Sequence, residues 1–239
     1  MQGGLFLYVK IWKEKAKWIA ILMILMIFIY GCHSLNMRVS TDKVDSRIAH
    51  VVIDPGHGGS DPGKVGVNGI TEKEINLKIA RKIKDRLEEQ KVLVTMTREK
   101  DEGVTGVPSK NGKMKDLKKR VEIINKTAPE LAVSIHQNSY SDPGVKGPQV
   151  FYDTHSGESE RMAEILQQEL WKLDPESHRM KKADDDYYLF RHTKVPVLIV
   201  ECGFLSNPKE AEKLSDDEYQ SAVADAVVRE IMACFKCQK

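Results

Sequence analysis

Residues 195–204, VPVLIVECGF, constrain the fold more than any other stretch of the chain. The run is apolar at nearly every position and is interrupted only by Pro196 near its start. A strand that apolar is covered on both faces, which predicts a central strand buried in a parallel or mixed sheet. It carries one acid, Glu201, near its end.

The flanking sequence supplies the cover, because from residue 48 onward short β-rich runs alternate with amphipathic helices. This is the pattern of a single α/β domain with a mostly parallel or mixed sheet flanked by helices. The first strand is expected at 50–54 and breaks into Pro55-Gly56-His57-Gly58-Gly59. In the helix that follows, Thr71 and Glu74 form a capping box, Ile70 and Ile75 can staple the entry, and Ile75, Ile79, Ile83 and Leu87 line one face. Further strands are expected at 92–97, 131–135 ending at His136, and 149–152. A helix carrying Leu117, Val121 and Ile124 lies between the second and third of these runs. A long helix over 158–173 presents Met162, Ile165, Leu166 and Leu170, and 174–186 reads as a charged surface loop. Ser215 with Glu218 opens a last helix whose face is Tyr219, Val223, Val227 and Ile231.

The first 33 residues have a different character. Lys10, Lys13, Lys15 and Lys17 precede an apolar run at 18–30, the layout of a signal peptide or membrane anchor. Thirteen apolar residues fall short of the ~20 that span a bilayer, which favours a signal core, although residues 5–12 could extend an anchor. Ile29-Tyr30-Gly31-Cys32 is similar to a lipoprotein box, with Tyr30 larger than that motif uses. Residues 34–47 are polar and aperiodic, as in a linker, which leaves 48–239 for the domain. The net charge of +2 belongs to the leader, since residues 47–239 carry 31 basic and 32 acidic side chains. A near-neutral domain argues against a nucleic-acid binder, which normally carries a basic face. The expected location is extracytoplasmic, with contact to the membrane through the N-terminal segment. The four cysteines form no disulfide framework, and Cys234-x-x-Cys237 has no second pair to complete a zinc site.

Strand ends in open α/β sheets are where ligand sites gather, and here they carry His57, His136 and Glu201, with Glu72 in the first turn of the helix after the His57 loop. Two imidazoles and a carboxylate from separate elements are a common ligand set for a catalytic zinc. A further carboxylate can act as general base toward water. On this reading His57, Glu72 and His136 are ligands and Glu201 carries protons. Each residue also has a plain structural explanation, since a strand-end histidine can be satisfied within the fold and Glu72 can favour the positive end of its helix. The capping box bears on this choice, because it engages Glu74 with its own backbone and leaves Glu72 to face the preceding loop.

Four ordered blocks, VVIDPGHGGSDPG at 51–63, EKEINL at 72–77, SIHQN at 134–138 and VECGFLSN at 200–207, resemble the zinc-dependent N-acetylmuramoyl-L-alanine amidases of the third amidase class. The resemblance covers residues 48–235. It implies a six-stranded, mostly parallel sheet flanked by helices and one zinc ion held by His57, Glu72 and His136. It further implies that Glu201 is the catalytic acid/base. The implied reaction hydrolyses the amide between the lactyl group of N-acetylmuramic acid and L-alanine, with peptidoglycan as substrate. Asn76 and Asn138 fall at family positions and read as loop or supporting residues, and Asp54 as a residue that fixes the glycine-rich turn. Arg98 and His155 are expected at the solvated surface, with substrate contact as the alternative. A leader followed by a bare catalytic domain resembles the germination-specific type found in endospore-forming bacteria. That type strips peptides from cortex muramic acid so that muramic-δ-lactam can form. Alternatives are vegetative wall remodelling or daughter-cell separation, a zinc hydrolase that cuts another bond, and a non-catalytic peptidoglycan-binding protein. The resemblance allows an activating protein partner, since several relatives are kept in check by partners, and nothing in this sequence identifies one.

Overall fold

A computed structural model describes residues 49–106 and 112–237, together with positions 17, 18, 23 and 26. The expected leader, the Cys32 motif and the linker otherwise lie outside the described residues, as does the Cys237 side chain. Among the described residues no helix is long and apolar enough to cross a membrane.

The elements run β1 (His50–Pro55), α1 (Glu72–Glu89), β2 (Leu93–Met96), α2 (Gly112–Thr127), β3 (Leu131–Asn138) and β4 (Gln149–Tyr152). They continue with α3 (Gly157–Trp171), β5 (Lys182–Ala183), α4 (Tyr188–His192), β6 (Val197–Phe204), α5 (Pro208–Ser215) and α6 (Asp217–Cys237). The six strands form one mixed sheet in the order β2-β1-β3-β6-β4-β5. Strand β1 is parallel to β2 and β3, and β3 to β6, whereas β4 runs antiparallel to β6.

The expected central strand is β6, buried along its whole length between β3 and β4. Alternation along the strands divides the core in two. Val51, Ile53, Leu131, Val133, Ile135, Leu198 and Val200 face one layer, built from α1, α3 and α6. Val52, Ala132, Val197 and Ile199 face the other, with Ile124 of α2 and Leu189 and Phe190 of α4. Helix α1 matches its sequence pattern, since Ile75, Ile79, Ile83 and Leu87 are all fully buried. Each such side chain contributes about 1.5–3 kcal/mol of burial free energy.

Three elements depart from the expectation. The segment 174–186 contains β5, whose two residues pair with Phe151 and Tyr152. Tyr188–His192 forms α4, one turn and a little more. The last helical stretch is two helices, because Asn207 caps α5 by accepting from Lys209 N and Glu210 N with Pro208 in the first turn. Helix α6 then starts at Asp217, where Tyr219 N donates to Asp216 Oδ2 (3.0 Å), so Asp216 takes the capping place expected of Ser215.

The second layer positions the site. Parity sends Asp54, Ser134, His136 and Glu201 to the α2 and α4 side of the sheet, toward the carboxyl ends of three adjacent parallel strands.

Candidate metal centre and active site

The first strand turns sharply after Pro55. His57 adopts φ 61°, a left-handed conformation unusual for a side chain other than glycine, and its Nδ1 is held by Asp61 Oδ2 at 2.9 Å. Its Nε2 thereby faces Glu72 Oε1 at 3.2 Å. His136 Nδ1 approaches the same oxygen at 2.9 Å. The three residues can present one ligand atom each, all within 4.8 Å of one another. A tetrahedral ion with bonds of ~2.0–2.1 Å separates its ligand atoms by about 3.3 Å, so this donor set fits zinc in chemistry and in span.

Glycines make room for this approach. A Cβ on Gly56 would fall 2.2 Å from His136 Cε1, so the imidazole lies directly against the Gly56 backbone. Gly63 has φ 68°, and a Cβ there would meet Glu72 Oε2 at 2.5 Å. The capping box works as the sequence implies, with Thr71 N donating to Glu74 Oε2 (3.3 Å). Glu72 turns inward, accepting from Gln137 N (3.1 Å) on Oε1 and from Lys64 N (2.8 Å) on Oε2. Burial alone would raise the Glu72 pKa, but hydrogen bonds from His136 and His57 outweigh it and hold the carboxyl well below its usual range.

Glu201 stands opposite His136 in the β3–β6 register. It is 7% exposed, and its Oε2 is buried with no hydrogen-bond partner among the described residues. Burial pushes its pKa up to about 7, with Glu72 adding repulsion and His136 pulling the other way. A carboxyl that exchanges protons near neutrality suits general acid/base work. Tyr187, packed edge-on against Phe151 and Phe190, sets its hydroxyl toward Glu201. A cavity of about 800 Å³ adjoins His57 and His136, with Asp61, Lys113, Asp116 and Leu189 among its walls.

A buried ionic scaffold stands behind the His57 turn. Asp54 accepts from Thr97 Oγ1 (2.5 Å) and Ser134 Oγ (2.6 Å) and pairs with Arg120. Arg120 in turn donates to Pro55 O (2.8 Å) and His57 O (2.6 Å). Asp54 therefore fixes the turn, in line with its sequence reading. Asn76 is a supporting residue too, donating to Gly56 O (3.1 Å) and accepting from Gln137 Nε2 (3.1 Å). Asn138 shapes a loop, its carbonyl accepting from Leu205 N (2.8 Å). His155 is exposed beside Asp153.

Arg98 corrects the sequence reading. It is buried, and its guanidinium donates to Pro55 O, Gly56 O, Lys73 O and Lys100 O, so neither the surface role nor substrate contact applies. Asp61, Arg120 and Tyr187 also surround the site, without an expectation from the sequence. Asp61 was open to discovery as an acid four residues beyond His57 in the same turn. Arg120 sits among lysines in a polar helix and carries no such signal.

Two half-buried histidines around the buried Glu72, with the buried Glu201 beside them at the carboxyl ends of parallel strands, define a hydrolase site able to hold a metal ion. The chain belongs to the N-acetylmuramoyl-L-alanine amidase family, hydrolases of peptidoglycan, which it matches over residues 51–233. It is 34% identical to the germination-specific N-acetylmuramoyl-L-alanine amidase of Bacillus subtilis, over 93% of this chain and 96% of that protein. It is 29% identical to the amidase AmiA of Escherichia coli, over 77% of this chain and 75% of that protein. Among solved structures, the CwlD amidase of Clostridioides difficile in complex with the GerS lipoprotein superimposes with a TM-score of 0.76. That match has 33% identity and covers 79% of this chain and 99% of CwlD. AmiC2 of Nostoc punctiforme gives a TM-score of 0.69 at 29% identity, covering 80% of this chain and 99% of that one.

Proposed function

We propose that the chain is a zinc-dependent amidase of the spore cortex, with His57, Glu72 and His136 as the zinc ligands and Glu201 as acid/base. The observation that most supports this reading is the convergence of two imidazoles on one ionised Glu72 oxygen, with the unpartnered Glu201 Oε2 nearby. A zinc ion bound there would polarise the amide carbonyl and lower the pKa of water toward ~7. Glu201 takes the proton of the attacking water and delivers it to the departing alanine nitrogen. Asp61 keeps the proton on His57 Nδ1 and so leaves Nε2 as the ligand atom.

Residues 1–33 serve as signal or anchor and 34–47 as a linker, placing the domain, 48–239, outside the cytoplasm. The cortex role is supported by the near full-length similarity to a germination-specific amidase, and an activating partner by the CwlD structure solved with a lipoprotein. The test is chemical and genetic. Purified protein should release stem peptides with a free L-alanine amine from cortex peptidoglycan. Spores of a deletion strain should lack muramic-δ-lactam. Normal δ-lactam together with unseparated vegetative cells would instead assign the enzyme to wall remodelling.

A further inference from the structure

Among the described residues, Val65, Val67 and Tyr140 are large apolar side chains left 58%, 60% and 61% exposed. Val65 and Val67 lie in one loop and Tyr140 in another, and hydrogen bonds bring the Val67 and Tyr140 backbones to one segment, 205–206. Val67 N donates to Leu205 O (3.1 Å) and Leu205 N to Asn138 O (2.8 Å). Tyr140 N donates to Ser206 Oγ (3.0 Å). Val65 pairs with Thr71, at the start of the helix that carries Glu72. Each strand of this knot continues directly from a site residue: 64–70 links His57 to Glu72, 139–140 follows His136, and 205–206 follows Glu201.

The geometry points to a glycan platform: Val65, Val67 and Tyr140 form the wall over which the sugar chain of peptidoglycan lies while its lactyl amide enters the site. This rests on the amidase reading above. The scissile amide has a polysaccharide on one side and a stem peptide, with its carboxylates and amine, on the other. The loops around the site likewise carry two unlike groups of side chains. The cavity beside His57 is polar, with Asp61, Asp101, Glu102, Lys113 and Asp116 in its walls. None of the three platform residues lines that cavity. They are uncharged, and the apolar CH faces of sugar rings pack on such surfaces. An aromatic ring on a pinned backbone offers its face with little entropy left to lose on binding. Three side chains also fall far short of the ~800 Å² per partner of a stable protein interface, which favours the substrate over a protein as occupant.

The test uses the full chain and two readouts. The first is binding of peptide-stripped glycan strands, measured by calorimetry. The second is steady-state cleavage of glycan strands bearing stem peptides, compared with that of a single N-acetylmuramoyl-peptide. Tyr140→Ala should weaken binding of stripped strands and raise KM on the polymer about tenfold, the equivalent of about 1.4 kcal/mol. The rise should be much smaller on the single-sugar substrate. Tyr140→Trp should restore polymer KM, and the pair Val65→Ser with Val67→Ser should act like Tyr140→Ala. Equal binding of stripped glycan by wild type and Tyr140→Ala would overturn the platform while leaving the amidase intact. So would equal KM changes on both substrates, or no glycan binding by wild type, which would hand the patch to a protein partner. Glycan binding that needs Tyr140, with no cleavage of the lactyl amide by wild type, would instead overturn the amidase reading alone.

Discussion

Replacing Arg120 by methionine tests the claim that a buried ion pair holds the His57 turn. Arg120 is 3% exposed and Asp54 1%, so neither charge has water to fall back on. Removing one member of such a pair costs about 3–5 kcal/mol, because the other charge is left uncompensated. Thr97 and Ser134 still donate to Asp54, which places the expected loss toward the lower end. The pH dependence identifies the cause. In the wild type, burial works against ionised Asp54, yet Arg120, Ser134 and Thr97 outweigh it, so its pKa lies below the ordinary 3.8. That pair contributes stability above pH 3.8, lost as pH falls through the lower folded value. In Arg120→Met, burial dominates and the Asp54 pKa rises above 3.8, so the variant should lose stability as pH rises from about 4 toward 7. Urea unfolding of both proteins at pH 5 and pH 7 measures this, and the deficit should be larger at pH 7. The double variant Asp54→Asn with Arg120→Met should lose clearly less than the two single losses added together. A deficit below about 1 kcal/mol at pH 7, or one independent of pH, would refute the reasoning.

Other perturbations separate the parts of the site. Gly56→Ala puts a methyl where the His136 ring lies and should weaken metal retention in a chain that still folds, read by metal content against circular dichroism. Asp61→Asn weakens the hydrogen bond that orients His57 and should cost about ten- to a hundredfold in zinc affinity, measured by competition with a chelating dye. Glu230 is fully buried in α6 and burial pushes its pKa up to about 7. The folded state therefore keeps its proton longer than the unfolded state does, so stability falls between pH 4.5 and 7 and stays lower by about 3 kcal/mol above that. Glu230→Gln should match wild type near pH 4.5 and exceed it at pH 8 in urea unfolding, and a gap that does not change with pH would contradict this.

What the sequence disclosed was local. The capping box at Thr71 and Glu74 predicted which acid turns inward, because a helix's first turn is governed by residues three apart. His57, His136 and Glu201 stood out as polar residues closing apolar strands, and the strands are parallel neighbours, so their ends converge. Long-range partners were not legible. Arg120 lies 66 residues from Asp54, and nothing in a lysine-rich helix distinguishes the one cation that folds inward. Strand β5 has two residues, too few to show a period, and it exists because β4 offers it an edge. Helix α5 did carry a signal in Asn207-Pro208, a cap followed by a residue suited to the first helical turn.

The central claim is that three side chains hold zinc and a fourth moves protons, and one comparison tests it most directly. Zinc per chain and cleavage of purified peptidoglycan are measured for wild type, Glu201→Ala and Glu72→Ala. Wild type and Glu201→Ala should each hold about one zinc, with turnover in the latter reduced by about 10²–10⁴, and Glu72→Ala should show neither zinc nor turnover. Full turnover by Glu201→Ala, or undiminished zinc in Glu72→Ala, would contradict it.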